Sequence, residues 1–118
     1  MEGMVDIEEK YLRAIVGKLI QDKPYFYARI VGESMLPTVK KDSTVMIKTG
    51  LHDISIGDII AFINQNHITL HRVIDIPSPQ EYVTKGDNSP EQERVSDINV
   101  IGKVIRINCD NKEDLRYQ

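Results

Sequence analysis

A serine, a histidine and an acid have the types and surroundings that covalent chemistry needs. Ser34 lies in Gly32-Glu33-Ser34-Met35-Leu36-Pro37. A nucleophilic serine must stand clear of its sheet on a tight, fixed turn. Gly32 lets the backbone bend and approach a substrate, and Pro37 ends any regular element soon after. Alone, this is also an ordinary turn serine. As a nucleophile elbow it lacks the second glycine and the following helix. His71 lies in His67-Ile68-Thr69-Leu70-His71-Arg72-Val73-Ile74, a strand pattern with Thr69, His71 and Val73 on one face. An imidazole held there is oriented well enough to act as a general base, and imidazoles change charge near neutral pH. His67 shares that face but stands about 13 Å away, too far to share a metal. No other His or Cys cluster occurs, so neither a metal nor another cofactor is expected. Asp87 follows a strand in Thr84-Lys85-Gly86-Asp87-Asn88-Ser89, ordinary turn chemistry. An aspartate there can also accept the histidine's other N–H and fix its tautomer.

These residues need a rigid frame. Residues 5–22 read as one amphipathic helix, with Ile7, Tyr11, Leu12, Ile15, Val16, Leu19 and Ile20 at three- and four-residue steps. Asp6, Glu8 and Glu9 suit its first turn, and Pro24 follows its end. From residue 25 the pattern changes to six short β-rich runs: 25–31, 44–48, 58–63, 67–76, 81–85 and 100–107. Turn residues separate them, and no long helix intervenes. That order predicts a mostly β, closed or coiled antiparallel sheet. Residues 86–97 read as a polar loop and 108–118 as a polar tail. The expected organisation is one domain: an N-terminal helix (1–24), a β core (25–107) and the tail.

The boxes gain specificity from their order. Gly-x-Ser-Met-x-Pro, Gly57-Asp58-Ile59-Ile60-Ala61-Phe62, His71-Arg72-Val73-Ile74, Thr84-Lys85-Gly86-Asp87-Asn88 and Val100-Ile101-Gly102-Lys103-Val104 together resemble the type I signal peptidase family and its LexA-like relatives, over residues 28–107. The resemblance implies coiled antiparallel sheets and a serine endopeptidase that removes a leader or signal segment from a precursor. Bacterial-type members and LexA-like proteins carry a lysine base. A histidine marks the endoplasmic-reticulum and archaeal type, and His71 occupies that place. Asp87 matches the first important acid of that branch. Glu93-Arg94 stands at the spacing of its Asp-Asp-Arg stretch, with Asp97 a nearby alternative. The backbone N–H of Ser34 is implied as an oxyanion donor. Many members add a serine at the position of Gly32, which has no side chain to offer. The family prefers small side chains before the cut.

Composition narrows the class further. The 118 residues are 41% hydrophobic and 28% charged, with a net charge of −3. Such a balance has no general pull toward nucleic acid. The single cysteine, Cys109, excludes an internal disulfide; it reads as a small packed apolar residue and fits a reducing compartment. No segment approaches the roughly 18 apolar residues of a membrane span, and the start lacks a secretion signal. A soluble, cytoplasmic protein is expected, meeting a membrane only peripherally or through a partner. Its partner is a precursor protein or peptide; the oligomeric state is not encoded legibly.

Two other functions fit the same scaffold. One is a non-catalytic module that binds peptides along a strand edge. The other is a LexA-like self-cleaving regulator. Regulators of that kind cut themselves at Ala-Gly or Cys-Gly, and neither dipeptide occurs in this sequence.

Overall fold

A computed structural model describes residues 9–21, 23–51 and 53–108. One helix, α1 (Glu9–Gln21), precedes seven strands: β1 (Tyr25–Arg29), β2 (Thr44–Thr49), β3 (Ile59–Asn64), β4 (His67–Ser78), β5 (Glu81–Lys85), β6 (Gln92–Ser96) and β7 (Val100–Ile107). They form one antiparallel sheet in the order β1-β2-β7-β3-β4-β5-β6. This is the mostly β, coiled antiparallel architecture expected from the sequence. Register shifts interrupt the β2/β7, β3/β7 and β4/β5 ladders. Such bulges raise the local twist, and here they accompany the curling of the sheet.

The last strand inserts between β2 and β3, and β3 becomes the centre. Ile59, Ile60, Ala61, Phe62 and Ile63 are all buried. Successive strand residues face opposite sides, so an unbroken apolar run must meet two cores. Ile59, Ala61 and Ile63 join Val45, Ile47, Ile101 and helix residue Val16. Ile60 and Phe62 join Val73, Tyr82 and Val95. The helix docks through Leu12 and Val16. Tyr11 and Ile15, expected in the same buried stripe, are exposed instead. Positions 5–8 and 22 of the expected helix, the side chains of Leu19 and Ile20, and Cys109 with the rest of the tail lie outside the described residues. No helix among the described residues is long and apolar enough to cross a membrane.

β6 is the main departure from the sequence reading. Residues 92–96 fall in the stretch read as a polar loop. Among them only Val95 is buried. An edge strand needs only one apolar face, and charged residues commonly protect such an edge. Four polar residues out of five therefore hid a strand whose pairing with β5 sets Thr84 opposite Glu93.

Candidate active site

Ser34 sits in the turn between β1 and β2. Two buried side chains, Met35 and Val39, pin that turn to the core, and full burial of such groups contributes roughly 1.5–3 kcal/mol each. Val39 N–H donates to the Met35 carbonyl (2.9 Å) and Leu36 N–H to the Glu33 carbonyl (3.2 Å). The Leu36–Pro37 peptide is cis. Ser34 is thereby held at the surface by its neighbours, with its own side chain half-buried. Its backbone N–H has no acceptor among the described residues.

His71 comes from β4, opposite Ile60 of β3. It is 7% exposed, and the Phe62 ring meets it edge-on with centroids 6.0 Å apart. Its Nε2 lies 3.1 Å from Ser34 Oγ. Its Nδ1 lies 2.7 Å from Glu93 Oε1. An ionised carboxylate only accepts hydrogen bonds. We therefore assign the ring proton to Nδ1, which leaves Nε2 to accept from the serine hydroxyl. The Thr84 hydroxyl, fully buried on β5, donates to the same Glu93 oxygen at 2.7 Å. Glu93 is thus fixed from two sides.

Asp87 stands elsewhere. The carboxylate on His71 Nδ1 is that of Glu93, and Asp87 instead receives Arg72 through Nε (2.8 Å) and Nη2 (2.7 Å). The Thr38 hydroxyl donates to it at 2.6 Å. The geometric reason is the strand face: on β4, Arg72 points opposite to His71, and Asp87 lies beyond β5 on Arg72's side. Arg72 also donates through Nη1 to the Gly57 carbonyl at 2.7 Å. Asp87, expected beside the histidine, instead joins the Ser34 turn to β4 through Thr38 and Arg72. Asp97 is also elsewhere. It opens a single 3₁₀ turn (Asp97–Asn99) after β6. Its charge adds to burial, the larger cause, in pushing the Tyr82 hydroxyl upward.

The arginine hydrogen bonds hold the Asp87 carboxyl below its ordinary value, against a smaller opposing effect of burial and with help from Thr38. Asp87 in turn raises Arg72. A depressed carboxyl contributes stability that is complete above its unfolded value and is lost as pH falls through its folded one. The wild type is therefore expected to exceed Asp87→Asn by about 1–2 kcal/mol at neutral pH. The gap should close as pH falls below about 4. Denaturant titrations at a series of pH values check this.

Gly86 carries a role that the sequence reading did not give it. A Cβ there would lie 2.7 Å from the Ser34 carbonyl oxygen and 3.0 Å from His71 Nε2. Only glycine lets this loop lie against the serine turn, where Asn88 N–H donates to the Ser34 carbonyl (2.7 Å) and Asn88 Nδ2 to the Glu33 carbonyl (3.2 Å). The signal was the glycine within the Lys-Gly-Asp-Asn box. Gly86→Ala is expected to part Ser34 from His71 and to lower kcat by about 100-fold, the usual scale for a misplacement near 1 Å. Steady-state kinetics beside a melting curve would check it.

An apolar groove opens beside Ser34. One side is the outer edge of the sheet at β1 and the residues after it, Ala28 to Val31. The other is His67 to Leu70 of β4. That stretch pairs only with β3, because β5 joins β4 from Arg72 onward. Two main-chain edges without a strand partner among the described residues thus face one groove that ends at the serine. Among the described residues, no three His, Cys, Asp or Glu side chains gather as a metal-binding set.

No curated protein matches the chain. The Peptidase S24-like family model does, over residues 2–105. That span holds the turn with Ser34, the strands that carry His71 and Glu93, and the sheet between them. By this match the chain belongs to the Peptidase S24-like family.

Proposed function

We propose that this protein is a serine endopeptidase of the signal-peptidase type, using a histidine base, that removes a leader segment from a precursor peptide. One observation carries the reading: Ser34 Oγ, the His71 ring and Glu93 form a continuous hydrogen-bonded line, at 3.1 and 2.7 Å. A lysine base fills the matching place in LexA-like relatives. Here a buried imidazole with its own carboxylate occupies it.

The steps follow from that line. A precursor lies extended in the groove and adds its main chain to the groove's two strand edges. His71 Nε2 takes the Ser34 proton as Oγ attacks the scissile carbonyl. Glu93 holds Nδ1–H and stabilises the imidazolium that forms. The unpaired N–H of Ser34 serves the developing oxyanion; one such donor is typically worth about 2.7–4 kcal/mol of barrier. Imidazolium then protonates the departing amine. A water, deprotonated by the same nitrogen, hydrolyses the acyl-enzyme and returns the serine. Gly32, with no side-chain donor, leaves the oxyanion to the backbone.

Incubation with precursor-derived peptides, followed by mass spectrometry, tests the reading. Defined cuts that disappear in Ser34→Ala support it. Cuts that persist in that variant sink it. The family match favours one second reading, self-cleavage of the LexA-like kind. Shortening of the purified chain at a rate independent of its concentration would identify that activity.

A further inference from the structure

The groove beside Ser34 has a volume of about 440 Å³. Phe26, Ile30, Ile68 and Leu70 line it with partly exposed apolar side chains, over buried Met35 and Ile47. Ala28, Gly32 and Ser34 are the small residues of the lining, and nothing lies within 4 Å of the place a Cβ on Gly32 would take. Its lips are apolar as well: Val31 is 54% exposed on one side and Ile68 49% on the other. Among the described residues, Arg29 and His67 are the only ionisable ones in the lining, and neither offers a carboxylate.

We propose that this groove selects precursor segments with large aliphatic side chains at alternate positions beside the cut, rather than the small ones that signal peptidases prefer. The proposal rests on the peptidase reading and names its substrate class. An extended peptide sends every second side chain to one face, about 6.8 Å apart. Main-chain pairing with the strand edges gives affinity, and the groove gives selectivity. A methyl group would leave much of this volume, and both exposed lips, in contact with water. A leucine-sized group covers them. Each methylene placed in an apolar pocket typically changes selection by about 10- to 200-fold. A lysine there would meet Arg29 and His67 with no acid to receive it.

Binding to Ser34→Ala reads the groove without turnover. Fluorescent peptides carrying Leu, Ala or Lys at two alternate positions of an otherwise polar sequence are titrated by anisotropy. The Leu peptide is expected to bind at least about 10-fold more tightly than the Ala peptide, with Lys weakest. Equal or tighter binding of the Ala peptide overturns the proposal. Ala28→Leu, placed in the Ser34→Ala background, narrows the groove and should reverse the order. Since Ala28 also packs against the core, Ile68→Ala at the exposed lip provides a second variant. It should weaken the Leu peptide several-fold and leave the Ala peptide unchanged; equal weakening of both counts against the proposal. Hydrolysis by the wild type separates the two claims. Tight Leu binding without any cleavage overturns the peptidase reading and leaves the groove preference standing. Preferential cleavage of the Ala peptide does the reverse.

Discussion

Exchanging Ser34 for alanine is expected to lower kcat for peptide hydrolysis by roughly 10⁴- to 10⁶-fold, the scale on which nucleophile removal acts in serine hydrolases. The fold should hardly notice. The hydroxyl's hydrogen bond is to His71, and losing one neutral bond at a half-exposed site costs about 1 kcal/mol or less. The turn keeps its anchors in Met35 and Val39, because neither depends on the hydroxyl. Activity and stability must therefore separate. Kinetics on one cleaved peptide, with a urea titration of both proteins, measures the two together. A variant that loses activity only in proportion to its loss of folded protein would remove Ser34 from the chemistry.

The second large effect distinguishes two acids. Glu93→Gln should lower kcat by about 10³- to 10⁴-fold, since an amide on Nδ1 can favour the wrong tautomer and cannot balance the imidazolium. Thr84 would still hold the new side chain, so the fold stays intact. Glu93→Asp keeps the charge but shortens the reach, and should recover part of the loss. Asp87→Asn behaves differently. It removes the acceptor that joins Arg72, Thr38 and the serine turn. The expected result is a lower melting temperature and a fall in kcat of about 10- to 100-fold, caused by misplacement of Ser34. A deeper kcat loss in Asp87→Asn than in Glu93→Gln, with both proteins folded, would return the orienting role to Asp87.

That contrast shows where the sequence was legible. All six expected β runs have strands within two residues of their bounds, β4 running two residues further through Pro77. Their apolar periods and turn residues are local signals. Ser34 and His71 stood out through their boxes, and the boxes now have physical reasons. Gly57 turns at a φ of 102° and gives its carbonyl to Arg72. A Cβ on Gly102 would lie only 2.1 Å from the Lys48 carbonyl oxygen, so β7 can sit between its neighbours only with glycine there. Glu93 was less legible than Asp87 because its place depends on β6, and β6 shows one apolar residue. Its partner follows from register: His71 and Thr84 reach toward Glu93 from adjacent strands, whereas Asp87 follows Arg72 to the opposite face. Pairing between distant segments decides such matters, and no local pattern encodes it.

The central claim is that His71, backed by Glu93, makes Ser34 a nucleophile. The most direct test needs no substrate. A fluorophosphonate probe reacts with an activated serine hydroxyl, adds a fixed mass and marks the residue it meets. The account predicts one adduct, mapped to Ser34 by peptide mass spectrometry, formed at neutral pH and slowed at least about 100-fold in His71→Ala and in Glu93→Gln. Labelling of Ser34 at an unchanged rate in His71→Ala, or no adduct on Ser34 in the folded wild type, would contradict it.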